Sequence, residues 1–311
     1  MKVYKQLFIV QISLVSILTS FLIACSGSGP TETVELTNID TPDVEGQVIY
    51  GEDGRRDLYQ VTDVKLRTAS QSIVSLFESA NVIEQGARVS LKTESFAAAY
   101  SLCPTERFRE QNLGAFCSGS LVGPDLVLTA GHCIRDVKAC ANVRFVFGFN
   151  VPVPGKQVSS VTSNDVYRCK SIVSRQENSS GADYAVIKLD RPVVGRKPLA
   201  LNRKTLPKTG DPVLVIGHPT GLPLKVTLGG KVRSVANPNY FVTNLDTYGG
   251  NSGSAVFSTT TGLIEGILVR GENDFVPQGS CYVSYKCTET GCRGEDVTRV
   301  SKAAPFIPLI Q

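Results

Sequence analysis

The chain has 311 residues, 42% of them hydrophobic and 7% aromatic, enough for one large or two small packed domains and too apolar for a disordered or fibrous protein. Lys and Arg number 32 against 28 Asp and Glu; the net charge of +4 is halved when Lys2 and Lys5 are set aside, and so small a balance argues against a nucleic-acid partner. Only two histidines, His132 and His218, are present, which excludes a histidine-rich zinc site, and nine cysteines beside a single Met and no Trp point to disulfides in an exported protein.

At the N-terminus, Lys2 and Lys5 precede an apolar run from Leu7 to Ala24 that ends in Leu-Ile-Ala-Cys before Ser-Gly-Ser-Gly. A positive start, a short apolar stretch and a small residue before the cut describe a secretory signal peptide over residues 1–24. A transmembrane helix, the competing reading, needs about 20 apolar residues; this run is slightly short and no basic stop-transfer cluster follows it. The form Leu22-Ile23-Ala24-Cys25 also resembles the bacterial lipoprotein box. That resemblance implies lipidation of Cys25 and a cell-envelope protein that meets the membrane only through its lipid, with plain secretion as the alternative. Residues 26–45 are Gly, Ser, Thr, Pro and acid with few large apolar side chains, a flexible tether by composition. Residues 25–67 as a whole read as a tether or propeptide-like segment.

Short apolar runs follow at 72–77, 126–129, 143–149, 185–189, 213–216, 225–228, 255–257 and 263–269, each bounded by Gly, Pro, Asn or Asp. Many short strands with turn signals between them predict an antiparallel barrel or sandwich rather than βαβ units. Helical periodicity is confined to 82–87, 96–100 and 134–139, and no internal repeat is found. With Cys25 set aside the remaining eight cysteines form an even set that fits four disulfides. A metal cluster is the poorer reading, because paired Cys-x-x-Cys ligands are missing and an oxidising compartment disfavours free thiolates.

Chemistry concentrates in three segments. Residues 116–133, FCSGSLVGPDLVLTAGHC, run strand, turn and strand into His132, flanked by Cys133. Residues 181–189, GADYAVIKL, put Asp183 just before an apolar strand; Asp165, Asp190 and Asp211 are its rivals. Residues 248–257, YGGNSGSAVF, put Ser252 in a glycine-rich turn. In this order and with these neighbours the three segments resemble the histidine, aspartate and serine motifs of the chymotrypsin-fold serine peptidases, over roughly residues 68–311. The resemblance implies an all-β fold of two six-stranded antiparallel barrels, the first over about 68–190 and the second over about 191–311, with the active site in the cleft between them. It also implies catalysis by His132, Asp183 and Ser252 and a Cys117–Cys133 bridge. Among the other six cysteines, Cys140 with Cys169 and one local bridge within Cys281, Cys287 and Cys292 are the favoured pairings.

Elementary chemistry supports those roles. A serine hydroxyl is a poor nucleophile at neutral pH and needs a base that takes its proton and later returns it to the leaving amine. Histidine, with an ordinary pKa of about 6.5, is the natural base, and a buried carboxylate fixes its tautomer and stabilises the imidazolium. Glycines around Ser252 let the N–H groups of Gly250 and Ser252 converge as an oxyanion hole. His218, in a Gly/Pro turn with no serine motif near it, reads as structural or surface.

Two departures narrow the branch. Asn251 stands where the digestive enzymes carry the Asp that pairs with a new N-terminal ammonium, and no Ile-Val-Gly-Gly stretch exists. Gly-Gly-Asn-Ser-Gly-Ser and the stretch 48–56 instead resemble the staphylococcal-type glutamyl endopeptidases, so activation through an ammonium–aspartate pair is not expected. A trim between Cys25 and Arg67 would release the domain from its anchor. Asp246, six residues before Ser252, holds the position that sits at the base of the trypsin pocket, so a basic residue before the scissile bond (P1) is expected through a charge-assisted pair. Arg270, on the strand lining one wall of that pocket, would favour an acidic P1 if it points inward. The expected protein is an exported, monomeric serine endopeptidase acting on protein or peptide, with no cofactor and no metal. The alternative is a catalytically silent, protease-like lipoprotein that serves as a binding module.

Overall fold

The computed structural model describes residue 49, residues 53–271 and residues 273–309. The expected signal peptide over 1–24, the expected lipidation site Cys25 and most of the expected tether lie outside the described residues. No helix among the described residues is long and apolar enough to cross a membrane.

Six strands close the first barrel in the order Val166–Glu177, Asp183–Leu189, Leu126–Thr129, Cys117–Gly123, Ile73–Glu78 and Val143–Phe147, the last pairing back to the first. The second barrel runs Lys225–Ser234, Pro212–Gly217, Ala255–Ser258, Ile264–Arg270, Glu295–Arg299 and Tyr240–Thr243, and closes where Tyr240–Thr243 pairs with Lys225–Ser234. All of these pairings are antiparallel. The two-barrel, all-β architecture expected from the sequence is therefore present.

Several strands read as unbroken apolar runs because both of their faces are covered. In Pro212–Gly217, Val213 and Val215 pack with Val232, Phe241, Val256 and Val297 inside the second barrel, while Leu214 and Ile216 join the large core shared with the first. In Ile73–Glu78, Val74 and Leu76 face that shared core and Phe77 packs outward under Val82, Val89 and Phe149. Full burial of a side chain of this size stabilises by about 1.5–3 kcal/mol, so a polar substitution on either face of these strands is costly.

The structure corrects two of the three helix expectations. Val82–Gln85 is a strand, not a helix: it pairs with Arg88–Leu91 across a two-residue turn in which Gly86 has φ 64°, a conformation suited to a tight hairpin. The expected helix over 134–139 starts later, at Val137, because Asp136 caps it by accepting the Ala139 N–H at 2.7 Å while Ile134 is buried in the core. The expected helix at 96–100 is present as Phe96–Ala99.

Residues 53–67, expected to end a tether, are instead built into the fold. Arg55–Asp57 adds to the edge of the second barrel, Arg56 opposite Val226, and helix Val64–Ser70 follows, capped by Asp63, which accepts the Leu66 N–H at 2.9 Å. Arg55, Asp57 and Lys225 are each at most 2% exposed. The Lys225 ammonium donates to Asp57 at 2.7 Å, to Gln111 at 2.8 Å and to the Pro223 carbonyl at 2.8 Å. Polar residues in a tether-like composition conceal this segment, since buried ion pairs hold it together with only a few apolar contacts, Val61 and Leu66 in the large core and Leu58 against it.

Four disulfides are present among the described residues: Cys103–Cys281, Cys117–Cys133, Cys140–Cys169 and Cys287–Cys292. The three expected links are all there, and the fourth ties the 96–113 region to the hairpin Phe275–Gln278/Cys281–Ser284.

Candidate active site

His132 sits in the single helical turn Gly131–Cys133 that comes after strand Leu126–Thr129. Asp183 opens the neighbouring strand, buried at 3% exposure. The His132 Nδ1 lies 2.7 Å from Asp183 Oδ2, and the His132 backbone N–H donates to Asp183 Oδ1 at 3.1 Å. An ionised carboxylate only accepts, so Nδ1 carries the proton and Nε2 is left as the acceptor. Thr298 of the second barrel accepts the Asp183 N–H at 3.1 Å, a contact the sequence did not suggest. Gly131 leaves no room for a side chain there, because a Cβ would lie 2.0 Å from the Gln176 carbonyl oxygen.

Ser252 comes from the second barrel, in the loop between Tyr240–Thr243 and Ala255–Ser258. Its carbonyl accepts the Ser118 N–H at 2.8 Å, and the Ser118 hydroxyl donates to the Gly250 carbonyl at 3.2 Å. Strand Cys117–Gly123 is thereby stitched to the serine loop, and the Cys117–Cys133 bridge carries the connection to the residue after His132. Gly253, at φ 87°, is required by this approach, since a Cβ would lie 2.1 Å from the Ser118 carbonyl oxygen. The N–H groups of Asn251, Gly253 and Ser254 donate to Tyr248, Leu268 and Asn251 carbonyls. Among the described residues no carbonyl is recorded for those of Gly250 and Ser252, the two expected hole donors.

Asn251 is buried, and its Oδ1 accepts the Ser254 hydroxyl at 3.0 Å. A neutral amide satisfied this way needs no ammonium partner, in keeping with the sequence expectation about activation. Although His132 lies beside the sulfurs of Cys117 and Cys133, those sulfurs are bonded to each other, so no thiolate is there to ligate a metal. His218 stands apart from this chemistry. Its Nδ1 donates to the Leu222 carbonyl at 3.0 Å, its ring stacks on Phe149, and burial pushes its pKa down to about 3, with the Leu222 hydrogen bond opposing the shift and the Lys225 charge adding to it.

Ser252 opens on a cavity of about 180 Å³ whose walls include Gly249, Arg270, Gly271, Asp274 and Glu295. Asp246, expected at its base, is not among the lining residues. It is buried against the N-terminal segment, where its Oδ2 accepts the Gly54 N–H at 2.7 Å, and burial together with the negative charge of Asp53 holds its pKa well above the usual carboxylate range. Arg270 does border the cavity, but its Nε donates to Asp296 at 3.0 Å and its other two nitrogens to the carbonyls of Asn178 and Gly181. That engagement directs the guanidinium to the loop between two strands of the first barrel rather than to an incoming acid. Missed by sequence reading were Arg55, whose guanidinium lies 4.0 Å over the Tyr248 ring and donates to the Tyr248 hydroxyl at 3.1 Å, and the two acids Asp274 and Glu295.

Residues 117–267 match the family described as trypsin-like peptidase domain. Over those residues the chain is similar to trypsin-like peptidase domains. Trypsin of Sarcophaga bullata is 31% identical over 113 residues, 35% of this chain and 41% of that protein. Glutamyl endopeptidase of Bacillus licheniformis (strain ATCC 14580 / DSM 13) is 26% identical over 151 residues, 47% of this chain and 46% of that protein. The chain spans less than half the length of these relatives. A solved structure of a Glu endopeptidase in complex with MPD aligns with a TM-score of 0.48 at 20% identity, covering 84% of this chain and 97% of that one.

Proposed function

We propose that this protein is an exported serine endopeptidase that hydrolyses peptide bonds through an acyl-enzyme on Ser252. The observation that carries the reading is the doubly held His132–Asp183 pair, one carboxylate oxygen at Nδ1 and the other on the backbone N–H of the same residue. With its tautomer and orientation set, Nε2 takes the Ser252 proton as Oγ attacks the scissile carbonyl carbon. The Gly250 and Ser252 N–H groups stabilise the oxyanion. As the C–N bond breaks, the proton passes from Nε2 to the leaving amine, and water, deprotonated in turn by His132, then releases the acid product.

Export is supported by the disulfides, which persist in oxidising compartments. Anchoring through a lipid on Cys25 belongs to the same proposal; a palmitate analogue is expected to label the wild type and not Cys25→Ser. Because residues 53–67 are part of the folded body, a maturing cut is expected before Asp53. Hydrolysis of unstructured peptides by the oxidised protein, abolished in Ser252→Ala, tests the enzymatic reading. An inert but folded and oxidised wild type would favour the silent binding module.

A further inference from the structure

Gly250, one of the two proposed oxyanion donors, is preceded by a second glycine, so the peptide group joining them has no side chain on either side to set its plane. In a trans peptide the C=O and the N–H point in opposite directions. Whatever engages the Gly249 carbonyl therefore decides where the Gly250 N–H points. The Thr220 N–H donates to that carbonyl at 2.5 Å. Thr220 holds φ 52° in the turn Pro219–Gly221, a strained value for a β-branched residue. The Gly250 N–H is thereby directed away from this turn.

Asp274 holds the same residue by its other end. Its Oδ2 accepts the Gly249 N–H at 2.8 Å, and burial raises its pKa to about 6 against that hydrogen bond and the charge of Arg55. At about pH 8 the carboxylate is ionised and only accepts. The next residue, Phe275, packs on the Tyr248 ring at 5.0 Å and opens the hairpin that the Cys103–Cys281 bridge ties down. Beyond these contacts, the Gly250 carbonyl accepts the Ser118 hydroxyl, whose oxygen in turn accepts the His218 N–H at 2.9 Å. Among the described residues, the Gly249 N–H, the Gly249 carbonyl and the Gly250 carbonyl are thus each engaged by a group outside the serine loop.

We propose that Asp274 is a positioning residue for the oxyanion hole: with the Thr220 N–H it fixes the Gly249–Gly250 peptide so that the Gly250 N–H meets the developing oxyanion. The inference rests on the hydrolase reading and needs no contact between Asp274 and substrate. Without this acceptor the Gly249 N–H has to find another, and a peptide flanked by glycines can turn its carbonyl toward the reacting centre, where it would repel the oxyanion.

The test uses the oxidised full chain at that pH and a peptide anilide chosen from those the wild type cleaves. Two inhibitors of the same peptide sequence accompany it: the trifluoromethyl ketone, whose serine adduct places an oxyanion in the hole, and the corresponding alcohol, which forms no adduct. Asp274→Ala is expected to lower kcat by about tenfold to a hundredfold, less than loss of an oxyanion donor itself, and to weaken the ketone by the same factor. KM, alcohol affinity and thermal unfolding are expected to stay near wild type. Asp274→Asn, whose amide oxygen still accepts the Gly249 N–H, is expected to recover most of the loss. Unchanged kcat in Asp274→Ala would overturn the inference and leave the hydrolase reading standing. So would Asp274→Asn as slow as Asp274→Ala, since charge rather than an acceptor would then be what matters. Weakening of the alcohol and the ketone together, with a lowered unfolding transition, would mark a merely structural role and overturn it as well. A folded wild type without Ser252-dependent fluorophosphonate label would remove the hydrolase reading and this inference together.

Discussion

The catalytic junction and the pocket beside it are built in opposite ways. His132, Asp183 and Ser252 each sit within a few residues of a barrel strand and are fixed by short backbone contacts: the His132 N–H on Asp183, and the Ser118 N–H on the Ser252 carbonyl. The pocket wall is assembled from afar. Arg55 of the N-terminal strand lies over Tyr248, whose hydroxyl donates to Ser284 at 2.5 Å, and Phe275 packs on the same ring at 5.0 Å. On the proposed reading the chemistry thus rests on short motifs at the ends of barrel strands, whereas the pocket wall depends on an N-terminal segment that comes from far away in the chain.

The largest effect that would break this contrast lies at the junction. Ser252→Ala or His132→Ala is expected to abolish hydrolysis with no change in thermal unfolding, and Asp183→Asn to lower kcat on the order of 10⁴-fold with the fold intact. Unchanged turnover in any of the three would remove that residue from the site.

Next in size is Arg55→Ala at the pocket side. Its guanidinium donates to both Asp53 oxygens, Nε at 2.8 Å and one terminal nitrogen at 2.6 Å. Removing it leaves that carboxylate with only Arg107, whose Nη1 lies 3.3 Å away, so the cost is expected at the lower end of the range for breaking a buried pair, about 3 kcal/mol. Arg55→Lys is not expected to restore the loss, since an ammonium matches neither the fork nor the stack on Tyr248. Denaturant unfolding checks the first statement. In either variant near conditions of full folding, KM for peptide substrates is expected to rise more than kcat falls.

The contrast also explains what could be read in advance. The triad candidates, the two barrels and three of the disulfide links were legible because they depend on apolar alternation and on short motifs around His132, Asp183 and Ser252. Arg55–Asp57 was not, because its stability comes from Lys225 and Gln111, partners 168 and 114 residues from their contacts Asp57 and Lys225 respectively. Glu295 was missed for the same kind of reason: only strand register and the close approach of Gly271 bring it to the serine. Asp246 shows the reverse error, since counting back from Ser252 located the residue but could not show that Gly54 would claim its carboxylate.

Cys117→Ser with Cys133→Ser sharpens the comparison at a smaller scale. The bridge closes a loop of sequence separation 16, for which chain entropy predicts about 3 kcal/mol. Because the loop ends beside His132, kcat is expected to fall while the ratio of cleavage between peptides that differ at P1 is kept. A change of preference without a change of kcat would mean that the two regions are not separable in this way.

The last effect, felt only under acid conditions, is that of pH on stability through His218. Its folded pKa of about 3 lies below the ordinary value of 6.5, so between those limits the unfolded chain binds the extra proton and stability falls as pH falls. The slope from this group approaches about 1.4 kcal/mol per pH unit within the window and vanishes above it. Urea unfolding midpoints from pH 7 to pH 4 are expected to drop less steeply in His218→Phe than in the wild type.

The central claim, that Ser252 is a nucleophile activated by the His132–Asp183 pair, is tested most directly by intact-mass and peptide analysis of the oxidised full chain after fluorophosphonate treatment. One adduct located on Ser252 is predicted, formed far more slowly in His132→Ala and absent in Ser252→Ala. An adduct elsewhere, or a rate on Ser252 that does not depend on His132, would contradict the account.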